Sequence, residues 1–126
     1  MDIYSEIILD YFKNPRNRGK LPRATIQAQE YNPLCGDKIT IYLLLDKNGK
    51  IKKAAFNGEG CAISQASASM LTEKIIGKTI PQITKITNEE IIKMLHITIS
   101  PARIKCAILG LITAKKAAIT HKYAKN

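Results

Sequence analysis

The sequence has no tryptophan, and aromatic residues make up only 6% of its 126 residues. Proteins that bind single-stranded nucleic acids stack bases on aromatic side chains, and no motif of that kind is present. No stretch approaches the ~20 consecutive apolar residues that a membrane-spanning helix needs. We therefore expect no nucleic-acid partner and no membrane segment.

Cysteine is also scarce, since the chain has only three: Cys35, Cys61 and Cys106. An odd number does not suit a disulfide framework, and a chain of this length can bury a core without one. The N-terminus carries Asp2 and Glu6 where an export signal would carry bases. The sequence therefore predicts one cytoplasmic domain over residues 1–126, with thiols available for metal, redox or nucleophilic chemistry.

Acidic residues are outnumbered, with 10 Asp and Glu against 20 Lys and Arg, which gives a net charge of +10. The lysines are scattered from Lys13 to Lys125 and form no long block. A basic surface attracts acidic molecules through long-range electrostatics. Because no stacking motif accompanies the charge, an acidic protein partner is favoured over a nucleic acid.

The hydrophobic pattern predicts an α+β fold. Apolar residues at helical spacing predict helices over residues 2–13, 62–76, from Asn88 onward and from Pro101 onward. Alternating apolar residues predict strands over 24–31, 38–46 and 51–57, with a turn at 46–50. Residues 81–88 are interpreted as a short connector. The expected architecture is a small three-stranded antiparallel sheet with helices packed on one face.

Each cysteine by itself fits a buried small hydrophobe, and Cys106 most of all, because its helix neighbours are apolar. Cys35 and Cys61 differ because they lie where loops join the predicted elements, next to glycines. Asp37, alone, would be interpreted as a turn or capping residue. Together the three thiols and this carboxylate make four ligands, the number that a tetrahedral metal site takes. Oxygen is a harder ligand than thiolate, so such a site suits the release of what it holds.

Two histidines are the other conventional ligands in the chain, His96 and His121. His96 follows the predicted short helix, and His121 lies in the basic C-terminal segment. A surface or packing role is favoured over a ligand role for both.

Three separated motifs carry a resemblance to a known family. They are residues 32–37 (Asn-Pro-Leu-Cys-Gly-Asp), 58–69 (Gly-Glu-Gly-Cys-Ala-Ile-Ser-Gln-Ala-Ser-Ala-Ser) and 103–107 (Arg-Ile-Lys-Cys-Ala). In this order they resemble the IscU/NifU/SufU family of iron–sulfur cluster assembly proteins, and residues 10–17 are similar to the end of that family's first helix. The resemblance implies the SufE/NifU-like fold.

The resemblance also implies a function. It implies a scaffold that accepts sulfur from a cysteine desulfurase, builds a transient 2Fe–2S cluster with iron and passes it to acceptor or carrier proteins. The implied ligands are Cys35, Asp37, Cys61 and Cys106, and zinc is the alternative occupant of the same site. The resemblance favours a non-enzymatic scaffold or sulfur acceptor over an enzyme. The sequence leaves open whether two copies form a homodimer through bridging clusters.

Lys105 and its neighbours leave undecided whether the chain resembles the IscU branch or the SufU branch more. The IscU branch usually has histidine before the third cysteine, whereas residues 103–106 resemble the SufU branch, which usually carries an insertion that this chain lacks. The SufU branch implies a zinc-bound sulfurtransferase partner that accepts persulfide sulfur and activates the desulfurase. In that alternative, Cys35 is the persulfide acceptor, because a loop cysteine can leave the metal and attack sulfur as a thiolate. The specialised chaperone motif of the IscU branch is absent from residues 100–105.

Overall fold

The computed structural model describes residues 3–33 and 36–124. Within this part of the chain the elements follow in the order α1 (Ile3–Lys13), β1 (Ile26–Asn32), β2 (Asp37–Leu45), β3 (Ile51–Glu59), α2 (Ala62–Ile75), α3 (Ile80–Thr84), α4 (Asn88–Met94) and α5 (Pro101–Ala124).

The three strands form one antiparallel sheet in the order β1-β2-β3, which confirms the predicted α+β fold. The β2–β3 hairpin turns where the sequence predicts it, with Gly49 at φ 81°. One carboxylate oxygen of Asp46 accepts hydrogen bonds from the backbone N–H groups of Asn48 and Lys50. At the other end of the sheet, Asn32 pairs with Asp37, so β1 and β2 are joined by a short connection.

The helices α2 and α5 pack on one face of the sheet, as predicted. Ile39, Ile41 and Leu43 point to that face from the central strand, and all three are fully buried. On the opposite face Gln27 and Gln29 of β1 are exposed. This alternation places one apolar face against the helices, and the other face is mostly polar but includes the buried Tyr42 and Ala55.

Small residues let α2 and α5 approach closely. A Cβ atom added at Gly110 of α5 would lie 3.3 Å from the Cα atom of Ala68, so the two backbones are nearly in contact. Next to this contact, the hydroxyl of Ser67 donates a 2.6 Å hydrogen bond to the carbonyl of Ala107, which lies one turn before Gly110. The crossing therefore holds the beginning of α5 beside the first turns of α2.

The segment after α1 is tied to α2 by polar contacts. The backbone N–H of Arg16 donates to the hydroxyl of Ser69 at 2.7 Å, and the same hydroxyl donates to the Arg16 carbonyl at 3.1 Å. The Arg16 guanidinium also forms an ion pair with Asp10 and lowers the pKa of that carboxyl. Further along, the Phe56 backbone N–H donates to the Asn17 carbonyl and the Gly19 N–H donates to the Phe56 carbonyl, and these bonds cover part of the free edge of β3.

The interpretation of residues 81–88 as a connector is wrong, because α3 occupies the first half of this range. Thr79 caps this short helix, and its hydroxyl accepts from the Gln82 backbone while the Gln82 side chain accepts from the Thr79 backbone. Pro81 fits in the first turn, where no intrahelical N–H bond is needed. The same reciprocal capping by Thr87 and Glu90 starts α4, so Thr87 is the N-cap and Asn88 is already helical.

Among the described residues, no helix combines the length and the apolar character that crossing a membrane requires.

Candidate metal centre

Three potential ligands from three different elements lie together at one end of the sheet. Asp37 is the first residue of β2, Cys61 is the N-cap of α2, and Cys106 lies near the start of α5. One ligand atom from each residue lies within 4.8 Å of the other two. Cys35, the fourth predicted ligand, falls outside the described residues.

Asp37 binds the start of α2 directly. Its side chain is 1% exposed, and its Oδ1 atom accepts a 3.0 Å hydrogen bond from the backbone N–H of Cys61. The Cys61 thiol faces the second carboxylate oxygen, with Sγ 3.8 Å from Oδ2. No side chain within α2 caps this helix end, so the carboxylate from β2 supplies an acceptor where the helix leaves N–H groups unpaired.

Gly60 makes room for this carboxylate. A Cβ atom at this position would overlap Oδ1 of Asp37 and lie 2.7 Å from its Cγ atom and 2.8 Å from the Ser64 hydroxyl. The backbone at Gly60 also has φ +148°, a conformation that residues with a side chain rarely adopt. The glycine before Cys61 is therefore required by the position of Asp37 as well as by the turn.

Cys61 is half-buried at the positive end of the α2 dipole, a place that favours negative charge. Its carbonyl accepts hydrogen bonds from the Ser64 hydroxyl at 3.0 Å and from the Gln65 backbone N–H at 3.1 Å. These bonds fix the backbone of Cys61 relative to the first turn of the helix. The thiol is thereby held in place while part of the residue stays open to solvent.

Cys106 is 1% exposed and is supplied by α5. The next residue, Ala107, is the one whose carbonyl accepts from Ser67. That bond connects α5 to α2 immediately beside the third ligand. Lys105 is exposed, so the residue before Cys106 lies at the surface next to a buried thiol.

The donor set and its spacing fit a tetrahedral metal ion. Zinc–sulfur bonds of about 2.3 Å at tetrahedral angles place neighbouring sulfur atoms ~3.8 Å apart, and a carboxylate oxygen slightly closer. Because the ligand atoms lie within 4.8 Å of one another, they need to move by only about an ångström to reach these separations. Two thiolates with a carboxylate also suit zinc or iron better than magnesium or calcium, which prefer all-oxygen sites.

The structure brings together the predicted residues that it describes, and it leaves both histidines out of the group. His96 follows α4 with φ 56°, and His121 lies in the last turn of α5. Sequence reasoning missed two hydrogen bonds. The Cys61 backbone N–H donates to the Asp37 carboxylate, and the Ser67 hydroxyl donates to the carbonyl of Ala107 beside Cys106. Metal binding by these residues stays a prediction.

Comparison with known proteins gives a family and named relatives. Residues 3–126 match the family model described as the NifU-like N-terminal domain. An iron–sulfur cluster assembly scaffold protein IscU from Thermotoga maritima is 40% identical over 131 aligned positions, which cover 91% of this chain and 92% of that protein. A zinc-dependent sulfurtransferase SufU from Bacillus subtilis is 39% identical, covering 86% of this chain and 84% of that protein.

A solved structure shares the fold. The crystal structure of a candidate iron–sulfur cluster assembly scaffold for the SUF system, from Fervidobacterium islandicum, matches with a TM-score of 0.80 and 35% identity. The match covers 92% of this chain and 96% of that one.

Proposed function

Since this chain belongs to the NifU-like N-terminal domain family, we propose that it is an iron–sulfur cluster assembly scaffold. It accepts sulfur from a cysteine desulfurase, assembles a transient 2Fe–2S cluster with iron, and transfers that cluster to acceptor or carrier proteins. The observation that carries the proposal is the convergence of Asp37, Cys61 and Cys106 to within 4.8 Å. In this role residues 1–126 act as one domain in the cytoplasm.

Cys35 completes the proposed site. It precedes Asp37 by two residues, so covalent geometry alone keeps the two Cα atoms within about 7 Å of each other. As a sulfur acceptor, the Cys35 thiolate attacks the outer sulfur of the desulfurase persulfide. A new S–S bond forms on Cys35, and the desulfurase cysteine leaves as a thiolate.

Asp37 gives the site its proposed lability. A carboxylate oxygen binds iron or zinc less strongly than a thiolate in a soft-ligand site. The same carboxylate has a second acceptor role in the fold, because it binds the backbone N–H of Cys61. It can therefore leave the metal without being left unpaired, which lowers the cost of releasing the cluster.

The relationship to SufU supports a second candidate function. The zinc-dependent sulfurtransferase from Bacillus subtilis is about as similar as the IscU protein from Thermotoga maritima, and Lys105 stands where the IscU branch usually has histidine. In this alternative zinc is held by Cys35, Asp37, Cys61 and Cys106, and the chain accepts persulfide sulfur and stimulates the desulfurase.

One anaerobic experiment separates the two functions. The protein is purified without added metal, its zinc content is measured, and it is then incubated with ferrous iron, cysteine, a cysteine desulfurase and a thiol reductant, which supplies the electrons that convert persulfide sulfur to sulfide. A scaffold gives the visible charge-transfer absorption of a 2Fe–2S cluster. A sulfurtransferase keeps one zinc per chain, gives no such absorption and accelerates cysteine turnover, and Cys35→Ser abolishes that acceleration. A protein that forms no cluster, holds no zinc and leaves turnover unchanged contradicts both functions.

Asp37→Ala is expected to retain an assembled cluster longer than the unmodified protein, by about 3- to 10-fold, because the weakest ligand no longer starts its release. The same change removes the cap on Cys61 and should lower the free energy of unfolding by about 1–2 kcal/mol. Asp37→Asn is the matched control, since an amide oxygen still accepts from Cys61 but binds metal poorly. It should retain the cluster like Asp37→Ala and unfold like the unmodified protein.

Transfer of the cluster to an apo-ferredoxin, followed by circular dichroism in the visible range, gives the release rate. Faster release from both Asp37 variants would contradict the proposed role of the carboxylate.

A further inference from the structure

A group of cations lies on the solvent-facing side and the β3 edge of the sheet, next to the candidate metal centre. We call it the basic face and define it by Arg18, Lys20, Lys38, Lys52 and Lys53. All five side chains are exposed, and they come from the segment after α1, from β2 and from β3. They bracket two adjoining depressions of about 450 Å³ and about 280 Å³, and Arg18 and Lys20 line both.

The charge of this face is not neutralised within the described part of the chain. The ion pairs recorded there involve Arg16, Lys74 and Lys116, and none involves a cation of the basic face. Glu59 is the one acidic residue among those lining the two depressions. Glu59 lies directly across the sheet from Lys38 and offsets part of the charge, so the face keeps an excess of positive charge. An excess of charge of one sign around a concave surface raises the local concentration of molecules of opposite charge.

The basic face is partly rigid. The Arg18 guanidinium donates to the carbonyl of Gly58 at 3.1 Å and lies 6.0 Å from the centre of the Phe56 ring. The backbone on either side of Arg18 is hydrogen-bonded to β3. Arg18, fixed in this way, loses little side-chain entropy when a partner binds.

The basic face adjoins the residues that would take up sulfur. Lys38 directly follows Asp37, and it pairs across the sheet with Glu59, two residues before Cys61. Cys35 is three residues before Lys38 in the sequence. A protein bound on this face would therefore lie beside the hairpin that carries the proposed sulfur acceptor.

We propose that the basic face docks an acidic segment of the protein that delivers sulfur to the site; this inference rests on the proposed function. Thr40, Tyr42 and Asn57 give the larger depression a polar lining between the cations, so electrostatic and hydrogen-bonding contacts dominate over apolar burial. Interfaces of this kind associate quickly and dissociate readily, which suits a donor that must leave before the cluster is transferred.

The test compares two triple variants in binding to the cysteine desulfurase. The first carries Lys20→Glu, Lys38→Glu and Lys53→Glu on the basic face. The matched control carries Lys47→Glu, Lys85→Glu and Lys93→Glu, three exposed lysines outside it. Both lower the net charge from +10 to +4, because each exchange removes a positive and adds a negative charge. Circular dichroism and thermal melting establish that both are folded.

The basic-face variant should bind the desulfurase at least about 10-fold more weakly at about 50 mM NaCl, and the control should stay within about threefold of the unmodified protein. Replacing the same three residues by arginine should restore binding. Polyglutamate should compete with the desulfurase for the unmodified protein. Equal weakening of both glutamate variants, or of neither, overturns the proposal. So does a basic-face variant that loses binding to an oligonucleotide while it keeps binding to the desulfurase.

Chemical assembly separates this proposal from the proposed function. With iron and inorganic sulfide, which need no protein donor, the basic-face variant should form the cluster as fast as the unmodified protein. With desulfurase and cysteine it should form the cluster at least about fivefold more slowly. Failure of the unmodified protein to form a cluster from sulfide overturns the scaffold function itself. Equal rates for variant and unmodified protein in the desulfurase reaction overturn the docking surface.

Discussion

Cys106→Ser is expected to lower the affinity for zinc by about 100- to 1,000-fold. Four-ligand zinc sites are worth about 10–16 kcal/mol near neutral pH, so one ligand accounts for ~2.5–4 kcal/mol on average. A serine hydroxyl stays protonated at this pH and cannot replace a thiolate. Because Cys106 is buried, no surface residue can take its place without moving the start of α5.

The affinity is measured anaerobically by competition with a chromophoric chelator. Ala114→Ser is the control, because it also places a hydroxyl at a fully buried position of α5 but lies two turns beyond Cys106. It should leave zinc affinity within about threefold of the unmodified protein, although it destabilises the fold by ~1–2 kcal/mol. A Cys106→Ser protein that is folded and retains its zinc affinity would remove Cys106 from the site.

Gly60→Ala is expected to reduce the free energy of unfolding by about 2–4 kcal/mol and to weaken metal binding as well. Roughly 1 kcal/mol comes from placing a side chain at φ +148°. The remainder comes from the new methyl group, which displaces the buried Asp37 carboxylate and breaks its bond to the Cys61 backbone. Urea unfolding of the metal-free protein measures the first effect, and chelator competition measures the second.

Two comparisons isolate the clash with Asp37. Gly77→Ala introduces a side chain at φ +90° with no atom within 4 Å, so it should cost only the backbone strain of about 1 kcal/mol. In an Asp37→Ala background, Gly60→Ala should cost clearly less, about 1–2 kcal/mol, because the carboxylate that the methyl group meets is gone while the close contact with the Ser64 hydroxyl remains. If Gly60→Ala lowers the free energy of unfolding equally in the unmodified protein and in the Asp37→Ala protein, the clash with Asp37 makes no contribution and Gly60 is needed for the turn alone.

Most of the fold could be predicted because its elements carry strong local patterns. The alternation from Ile39 to Leu45 predicts a strand with one buried face, and the apolar stripe from Ile3 to Phe12 predicts a helix. Prediction failed at α3, which has five residues and too few turns to show a helical period. The reciprocal pair Thr79 and Gln82 was the available signal, since Thr-x-x-Gln is typical of a capped helix start.

The chemistry of the candidate site could also be predicted from the sequence, because the type of ligand atom is a property of each single residue. Thiols at Cys61 and Cys106 and a carboxylate at Asp37 favour a soft, labile metal site wherever the fold places them. The motifs around them identify the family, and the family model confirms that assignment over residues 3–126.

The groups that can bind metal are evident from the amino-acid sequence, because side-chain chemistry and local periodicity belong to individual residues. That these groups meet is evident only from the folded chain, because closing the site needs contacts between residues far apart in the sequence. Ala68 packs on Gly110 and Ser67 binds Ala107, which brings Cys106 to the start of α2. At the same end, the empty side-chain position of Gly60 lets the Asp37 carboxylate reach the Cys61 backbone. These contacts depend on packing distances of tenths of an ångström, which no local pattern encodes.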